Sequence, residues 1–304
     1  MKNISGGIYP TMITPYKNGE IDYDMVKRMV DWYIEKGCHG IFAVCQSSEM
    51  VYLSLKERVK LAETIVNHNN GRINIVASGH CADSIDAQVE EMNEIAKTGV
   101  EAFVLVSNRF DLHNDGDAVW EANAEKFLDK ANKDLPLGVY ECPMPYKRLL
   151  SESNIEWIKK TGRFKFIKDT CCDPDVLAAR GKQLEGTGVM LFNANGQTFY
   201  HSLLNGGSGY SGIMANFHPE LYVWLYENYK TQPEKAEKLS NLISMMAFTE
   251  NPAYPNTAKY SFNLAGLDMD IYSRSSDPKR LNEYQKYIVK QMFDLSGDLA
   301  KEYK

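Results

Sequence analysis

The chain has 304 residues, with 34 Lys and Arg against 40 Asp and Glu, a net charge of -6 and 44% hydrophobic residues. These values lie in the ordinary globular range, which excludes disordered, collagen-like and disulfide-scaffold proteins. A negative chain without a Lys/Arg-rich block lacks the positive patch that binds nucleic acid. The length suits either two domains or one α/β barrel.

The N-terminal and cysteine patterns predict a cytoplasmic protein. The first seven residues, Met1-Lys-Asn-Ile-Ser-Gly-Gly7, contain no apolar run typical of a secretory signal. The longest stretch without Asp, Glu, Lys or Arg, residues 186–219, is interrupted by Asn, Gln, His and glycines, so we expect no membrane span and no membrane partner. The six cysteines form no C-x-x-C pair, which favours reduced, mostly buried thiols.

Apolar, β-rich runs alternate with helix-period segments along most of the chain. In segment 22–37, Val26, Met29, Val30 and Tyr33 recur on one helical face. Eight strand–helix units predict an α/β fold, a (β/α)8 TIM barrel. An open doubly wound sheet is the alternative, but no G-x-G-x-x-G turn follows the first strand. The predicted strands cover residues 8–14, 40–45, 73–78, 102–106, 137–142, 164–169, 189–193 and 209–215.

Helix start and stop signals support this segmentation. Ser54-Leu-Lys-Glu57 and Ser153-Asn-Ile-Glu156 each read as a capping box, in which a hydroxyl and a carboxylate satisfy unpaired amides. Glycine can adopt the left-handed conformation that follows a helix, and four glycines close predicted helices: Gly37, Gly71, Gly99 and Gly162.

The strand–helix alternation stops after His218-Pro219. Residues 220–231 predict an eighth helix, and later residues predict helices without strands, interrupted at Asn251-Pro-Ala-Tyr-Pro255 and ending in a polar helix at 284–304. We therefore expect a catalytic barrel at residues 1–231 and a C-terminal helical extension at 232–304.

Lys168 lies near the end of the sixth predicted strand, where barrel enzymes place their active sites. Strand alternation puts Lys168 on the same face as Phe164 and Phe166. Burial disfavours an ammonium group and lowers its pKa, which frees the amine to attack a carbonyl. The alternative is a lysine that extends its charged end to solvent.

Two further strand ends carry candidate groups. Tyr140 lies near the end of the fifth predicted strand and could relay protons, although a core tyrosine with a satisfied hydroxyl fits the same pattern. The second strand ends in Cys45-Gln-Ser-Ser-Glu49, whose hydroxyls and backbone amides suit a small carboxylate, or else a simple loop or helix cap. The histidines are scattered without ligand spacing, so no metal site is predicted.

These motifs resemble the dihydrodipicolinate synthase / N-acetylneuraminate lyase family of class I, Schiff-base-forming aldolases. Phe166-Ile-Lys-Asp-Thr170 looks like the family's Schiff-base lysine motif, and Tyr140-Glu-Cys-Pro143 matches its Tyr-x-x-Pro motif. The resemblance runs from Gly7-Ile-Tyr-Pro-Thr-Met-Ile-Thr-Pro15 to Asn256-Thr-Ala-Lys-Tyr-Ser-Phe-Asn-Leu-Ala-Gly266, which is nearly the whole chain.

The resemblance implies a role for each matching residue. Lys168 would form an imine with pyruvate or another 2-oxo acid, and Tyr140 would be the general acid/base. Ser47 and Gln46 stand at the family's second and first threonine positions, next to Ser48, and Ser211 matches a strand-eight position whose backbone lines the pyruvate pocket. The family also implies a homotetramer, a dimer of dimers, and a covalent lysine imine that requires no metal.

Four departures separate the chain from the two named activities. Cys45-Gln-Ser-Ser48 replaces Gly-Thr-Thr-Gly, and Ser107-Asn-Arg-Phe110 replaces the synthases' Tyr-Tyr pair. Pro145 stands in place of the synthases' carboxylate-binding Arg. Ala194-Asn-Gly-Gln197 replaces the acidic segment of the sialic acid lyases.

The sequence therefore favours an aldolase or dehydratase that acts on another 2-oxo acid. Arg109 is the candidate contact for a distal carboxylate or hydroxyl, or alternatively a solvated loop arginine. Two further readings stay open: 4-hydroxy-tetrahydrodipicolinate synthase itself, and a catalytically silent barrel that binds a metabolite.

Overall fold

A computed structural model describes residues 4–249 and 252–304. Ten strands are present in this part of the chain, and eight of them form one parallel sheet. The barrel strands are β1 (Gly7–Ile8), β4 (Gly40–Ala43), β5 (Asn74–Ala77), β6 (Ala102–Val106), β7 (Leu137–Tyr140), β8 (Phe164–Asp169), β9 (Met190–Asn193) and β10 (Gly209–Tyr210). The remaining two, β2 (Tyr16–Lys17) and β3 (Glu20–Ile21), form a hairpin.

The sheet closes into a barrel because its two edge strands meet. The strand order is β1-β10-β9-β8-β7-β6-β5-β4, so β1 and β4 are the edges. The His39 amide donates to Ile8 O (3.0 Å) and the Met12 amide donates to Phe42 O (3.1 Å), which joins these edges. The predicted (β/α)8 barrel is confirmed.

The first and last predicted strands are longer than the observed ones. Regular pairing in the first ends at Ile8, and an isolated bridge joins Thr11 to Phe42. Prolines at positions 10 and 15 have no amide hydrogen for a ladder. The last strand ends at Tyr210, and the chain then turns into a short 3-10 helix at Ile213–Asn216.

Helices cover the outside of the barrel and continue beyond it. Their bounds are α1 (Tyr23–Glu35), α2 (Leu55–Asn69), α3 (Ile85–Ala96), α4 (Asp117–Lys130), α5 (Glu152–Thr161), α6 (Pro174–Leu184), α7 (Phe199–Leu204), α8 (Pro219–Asn228), α9 (Pro233–Met246), α10 (Asn256–Leu264) and α11 (Glu283–Glu302). On α1 the predicted apolar face is buried. Among the described residues, no helix has the length and apolar character needed to cross a membrane.

The predicted helix ends are mostly confirmed. Ser54 and Glu57 form the expected capping box of α2. The four closing glycines all have positive φ, between 66° and 91°. The box predicted at Ser153 is wrong: α5 starts two residues earlier, and its capping box joins Ser151 and Asn154. Ser153 lies inside the first turn and donates to Glu121 instead.

An aromatic layer fills the interior of the barrel below the strand ends. The rings of Phe166 and Phe192 stack with centroids 4.5 Å apart, and Tyr9 meets Phe192 edge-on at 4.7 Å. Phe42 packs on Phe166 at 5.8 Å. The barrel is therefore a packed core with room for a ligand only near the carboxyl ends of its strands.

Helices α9 to α11 pack against the barrel without adding strands. Trp224 of α8 meets Tyr303 with ring centroids 4.9 Å apart, and Trp32 of α1 meets Phe262 of α10 at 4.8 Å. Asn251, in the break predicted between helices, lies outside the described residues. No disulfide joins the six cysteines.

Candidate active site

A cavity of about 530 Å³ opens at the carboxyl ends of the barrel strands. This volume lies within the usual range for small-molecule sites. Five of the residues predicted from the sequence line this cavity: Gln46, Ser47, Arg109, Tyr140 and Lys168.

Lys168 and Tyr140 meet at the inner end of the cavity because β7 and β8 are neighbours. The two residues are paired across these strands, and each is only 4% exposed. The Lys168 Nζ lies 4.0 Å from the centre of the Tyr140 ring and 5.6 Å from that of Phe42. A bound carbonyl carbon next to this amine would therefore also lie near the phenol.

The Tyr140 hydroxyl donates to Gln46 Oε1 over 3.3 Å. The Cys142 thiol donates to the same oxygen over 3.0 Å. Burial raises the pKa of the Tyr140 phenol well above its ordinary value, and the neighbouring Cys142 and Cys45 act in the same direction. The phenol is therefore protonated at rest, with its oxygen lone pairs still able to accept a hydrogen bond.

The two serines in the turn after β4 have different contacts and different roles. Gln46, Ser47 and Ser48 form one 3-10 turn. The Ser47 hydroxyl donates to Thr11 Oγ1 (3.1 Å) and lines the cavity. The Ser48 hydroxyl donates to Met12 O (2.6 Å) and accepts from the Cys45 amide (3.1 Å), and Ser48 does not line the cavity. Ser48 thus holds the turn on the strand-one loop, while Ser47 faces the ligand space.

Ser211 is not among the residues that line the cavity. It is fully buried, and its amide donates to Asn193 O over 2.8 Å. Its hydroxyl has no hydrogen-bond partner among the described residues. The nearby lining residue is Ile213.

Arg109 reaches the cavity from the segment after β6. Its guanidinium donates to Cys81 O (3.2 Å) and to Asp83 Oδ1 (2.7 Å). The arginine side chain is 14% exposed and that of Asp83 is 73% exposed, so the ion pair lies at the solvent side of the cavity. Arg109 is therefore held in place. Because Asp83 is exposed, water or an anionic ligand can replace it as the partner of the guanidinium.

The segment Ser107-Asn-Arg-Phe110, which replaces the Tyr-Tyr pair, holds the loop after β7 in place. The Asn108 side-chain amide donates to three carbonyls of the loop after β7: Cys142 O (3.1 Å), Met144 O (2.9 Å) and Tyr146 O (2.6 Å). This amide fixes the loop next to Tyr140 and has no hydroxyl to pass on a proton.

Sequence reasoning missed several lining residues. His80 follows β5, so the strand-end rule could have found it. Burial lowers the pKa of His80 to about 3, and its Nδ1 accepts the Val106 amide over 2.8 Å. Ser275 and Arg280 come from the C-terminal extension. No strand pattern predicts their position, because they reach the cavity through long-range packing.

No group of three or more His, Cys, Asp or Glu side chains in the described ranges is arranged to hold a metal ion. The buried amine of Lys168 lies in this cavity beside a protonated phenol. Fold and site together define a lyase of the (β/α)8-barrel type that works through a lysine Schiff base.

Comparisons with known proteins agree with this class. The model of the Dihydrodipicolinate synthetase family matches residues 4–291. The chain belongs to this family. It is 26% identical over 267 residues to 4-hydroxy-tetrahydrodipicolinate synthase of Pseudoalteromonas atlantica, which covers 85% of this chain and 88% of the relative.

Two solved structures share the fold. A chloride-inhibited dihydrodipicolinate synthase from Acinetobacter baumannii, complexed with pyruvate, aligns with a TM-score of 0.83 and 23% identity over 97% of this chain and 99% of that one. The CdNal protein of Clostridium difficile, in complex with mannosamine, aligns with a TM-score of 0.84 and 15% identity over 96% and 99% of the two chains.

Proposed function

We propose that this lyase joins Lys168 to the ketone carbon of pyruvate or a related 2-oxo acid and makes or breaks the bond between the third and fourth carbons of the longer acid. The observation that carries the proposal is the pairing of Lys168 with Tyr140 on adjacent strands, with Nζ 4.0 Å from the centre of the phenol ring, in the cavity at the strand ends. The pyruvate complex of the Acinetobacter synthase supports the choice of acid.

The first step is imine formation. The neutral amine of Lys168 attacks the ketone carbon, a C–N bond forms, and the ketone oxygen leaves as water after two protonations. In the addition step the phenol of Tyr140 donates a proton to this oxygen and recovers it from the nitrogen. A second proton from the phenol then releases the oxygen as water, which leaves the iminium and the Tyr140 phenolate. Ser47, with the backbone amides of its turn, holds the substrate carboxylate.

The second step uses the iminium as an electron sink. In the cleavage direction the bond between the third and fourth substrate carbons breaks, and its electron pair forms an enamine. The proton of the hydroxyl on the fourth carbon passes to the phenolate of Tyr140, which releases an aldehyde. The enamine is then protonated at the third carbon, and water hydrolyses the iminium. Condensation is the same sequence in reverse.

The substrate is longer than pyruvate. If each heavy atom takes up about as much space as a water molecule in the liquid, the six heavy atoms of pyruvate fill on the order of 180 Å³. The cavity holds about 530 Å³, and its outer part carries Arg109 and Arg280. A sugar-derived 2-oxo acid, with hydroxyls or an anionic group at its far end, would use this space.

The same features argue against the synthase reaction as the main activity. The Asn108 amide is bonded to three loop carbonyls, so no tyrosine relay passes protons from this segment. Pro145 has neither charge nor donor for a second carboxylate.

Reductive trapping tests the proposal. The intact protein is mixed with pyruvate and with a panel of longer 2-oxo sugar acids, then reduced with borohydride and digested. We expect the mass of a reduced adduct on the peptide that carries Lys168, and none in Lys168→Ala. Lys165→Ala is the matched control, since Lys165 lies on the same strand but faces the other way.

An unmodified Lys168 peptide across the panel would contradict the proposal and favour a barrel that only binds a metabolite. Addition of a chelator during trapping should leave the adduct yield unchanged, because the imine needs no metal.

We further infer a cytoplasmic homotetramer, built as a dimer of dimers, from the family resemblance. The barrel at 1–231 and the extension at 232–304 would form one folding unit, since α10 and α11 bury apolar rings against α1 and α8. Light scattering after size-exclusion chromatography tests the oligomer, and a chain truncated at residue 231 should not fold.

A further inference from the structure

A buried charge cluster lies directly behind Lys168 and Tyr140. Arg180 of α6 places Nη2 2.7 Å from Glu141 Oε1 and binds Asp169 through Nη1. Both carboxylates are fully buried, and the arginine side chain is 4% exposed. We call these three residues the Arg180 cluster.

The cluster also binds the backbone at the ends of two strands. Glu141 accepts the amides of Leu150 (2.7 Å) and Thr170 (2.8 Å), and Asp169 accepts the amide of Cys171 (2.8 Å). The two carboxylates therefore hold the loops after β7 and β8, and Arg180 joins them.

The position of these carboxylates in the sequence connects them to the active site. Glu141 directly follows Tyr140, and Asp169 directly follows Lys168. Successive strand residues face opposite sides of a sheet, so the carboxylates point outward while the lysine and tyrosine point inward. The Glu141 amide also donates to Lys168 O over 3.2 Å. Movement of the cluster would displace both residues.

Stability alone does not explain such a cluster. Two fully buried carboxylates share one guanidinium, and burial raises the pKa of Glu141 even though Arg180 opposes the shift. Apolar residues of similar size often replace buried ion pairs with no loss of stability. The planar fork of arginine does offer two parallel contacts with fixed directions.

We infer that Arg180 is a positioning residue for imine formation, acting through Glu141 and Asp169 to set the separation and electrostatic surroundings of Lys168 and Tyr140. This inference rests on the proposed function. It assigns Arg180 no contact with substrate.

The test compares Arg180→Lys and Arg180→Met with the wild-type protein. Arg58→Lys is the matched control, because Arg58 and Glu91 form a similarly buried pair (2.8 Å) that holds the loop after β5 and not β7 or β8. The measurements are the rate of borohydride-trapped adduct formation with pyruvate, its dependence on pH, and the midpoint of thermal unfolding.

Arg180→Lys keeps the charge but loses the fork, so we expect the rate of adduct formation to fall roughly tenfold to a hundredfold with an unchanged pH profile. Arg180→Met leaves the carboxylates without a cation, which favours the protonated lysine, so the rise of the rate with pH should also move to higher pH. Arg58→Lys should lower the unfolding midpoint and leave rate and profile unchanged.

A wild-type rate in folded Arg180→Lys would overturn the inference, whether or not Arg180→Met folds. An equal loss of rate in Arg58→Lys would overturn it too, since the effect would then follow general destabilisation. If the wild-type protein itself forms no adduct with any acid of the panel, the proposed function fails, and that result is separate from these comparisons.

Discussion

The phenol of Tyr140 donates its hydrogen to the side-chain oxygen of Gln46, 3.3 Å away. A carboxamide orients a phenol but cannot take its proton at ordinary pH. Gln46 therefore orients the phenol and leaves its proton for the substrate.

Replacement of Tyr140 by Phe removes the phenol whose ring centre lies 4.0 Å from the Lys168 amine. We expect turnover to fall by roughly a hundredfold or more, since general acid/base groups contribute about that factor. Adduct formation with pyruvate should persist, at a lower rate. Steady-state kinetics and borohydride trapping measure the two effects separately, and unchanged turnover would exclude Tyr140 from the mechanism.

Gln46→Leu leaves the Tyr140 hydroxyl without its acceptor. An unsatisfied buried hydroxyl costs about 1–3 kcal/mol, and the phenol would turn to find another partner. Turnover should fall by roughly tenfold or more, with a smaller effect on the rate of adduct formation. Cys142→Ala is the control: it removes only the second donor to Gln46 Oε1. A larger loss in Cys142→Ala than in Gln46→Leu would contradict this account.

Arg109→Gln tests whether the far end of the substrate is bound separately from the end that reacts with Lys168. The guanidinium lies at the solvent side of the cavity and is bound to Asp83, so it should not affect the amine of Lys168. We expect KM for longer, anionic 2-oxo acids to rise by roughly tenfold, while trapping with pyruvate stays unchanged. Asp83→Asn should not raise KM, because it frees the arginine. Equal effects on pyruvate and longer acids would show that Arg109 acts on the whole site.

The catalytic pair could be predicted from the sequence because it depends on local rules. Strand alternation and the carboxyl-end rule place Lys168 and Tyr140 in one cavity, and the family resemblance supplies their chemistry. Gln46 was predicted as a substrate contact, but its bond to Tyr140 depends on where two distant loops meet.

The contacts of the Arg180 cluster could not be predicted from sequence patterns. Glu141 and Arg180 are 39 positions apart, and nothing in either segment indicates that one helix arginine will reach two strand ends. Arg280 is a similar case, since its position depends on how the extension folds back over the barrel. Such contacts are set by tertiary packing and have no periodic signal.

The fourth prediction concerns the N-terminal cap of α5, which is Ser151 and not Ser153 as the sequence pattern predicts. Ser151 and Ser153 both begin a capping-box pattern, but Ser151 caps the helix and accepts the Asn154 amide over 3.1 Å. Ser151→Ala should therefore lower the free energy of unfolding by about 1 kcal/mol. Ser153→Ala, which removes one bond between exposed groups, should stay within about 0.5 kcal/mol of the wild type. Urea titration of both variants measures these free energies of unfolding. A larger loss in Ser153→Ala than in Ser151→Ala would contradict the observed start of the helix.

His218 should make the protein less stable in acid. It is fully buried, stacks on Tyr222 with centroids 5.7 Å apart, and has no hydrogen-bond partner on either ring nitrogen among the described residues. Burial lowers its pKa to about 3, whereas an unfolded histidine has a pKa of about 6.5. Between these values only the unfolded chain binds the proton, so stability falls as pH drops, by up to about 1.4 kcal/mol per pH unit.

His218→Phe keeps a ring in the same place and removes the titrating group. The difference in unfolding free energy between the variant and the wild type should therefore shift in favour of the variant as pH falls from 7 to 5, by roughly 2 kcal/mol. His80 retains its own contribution in both proteins, since its pKa is lowered to about 3 as well. Urea titrations at pH 7, 6 and 5 measure the difference, with exposed His113→Phe as the control. A difference that stays constant with pH would mean that His218 does not supply this proton linkage.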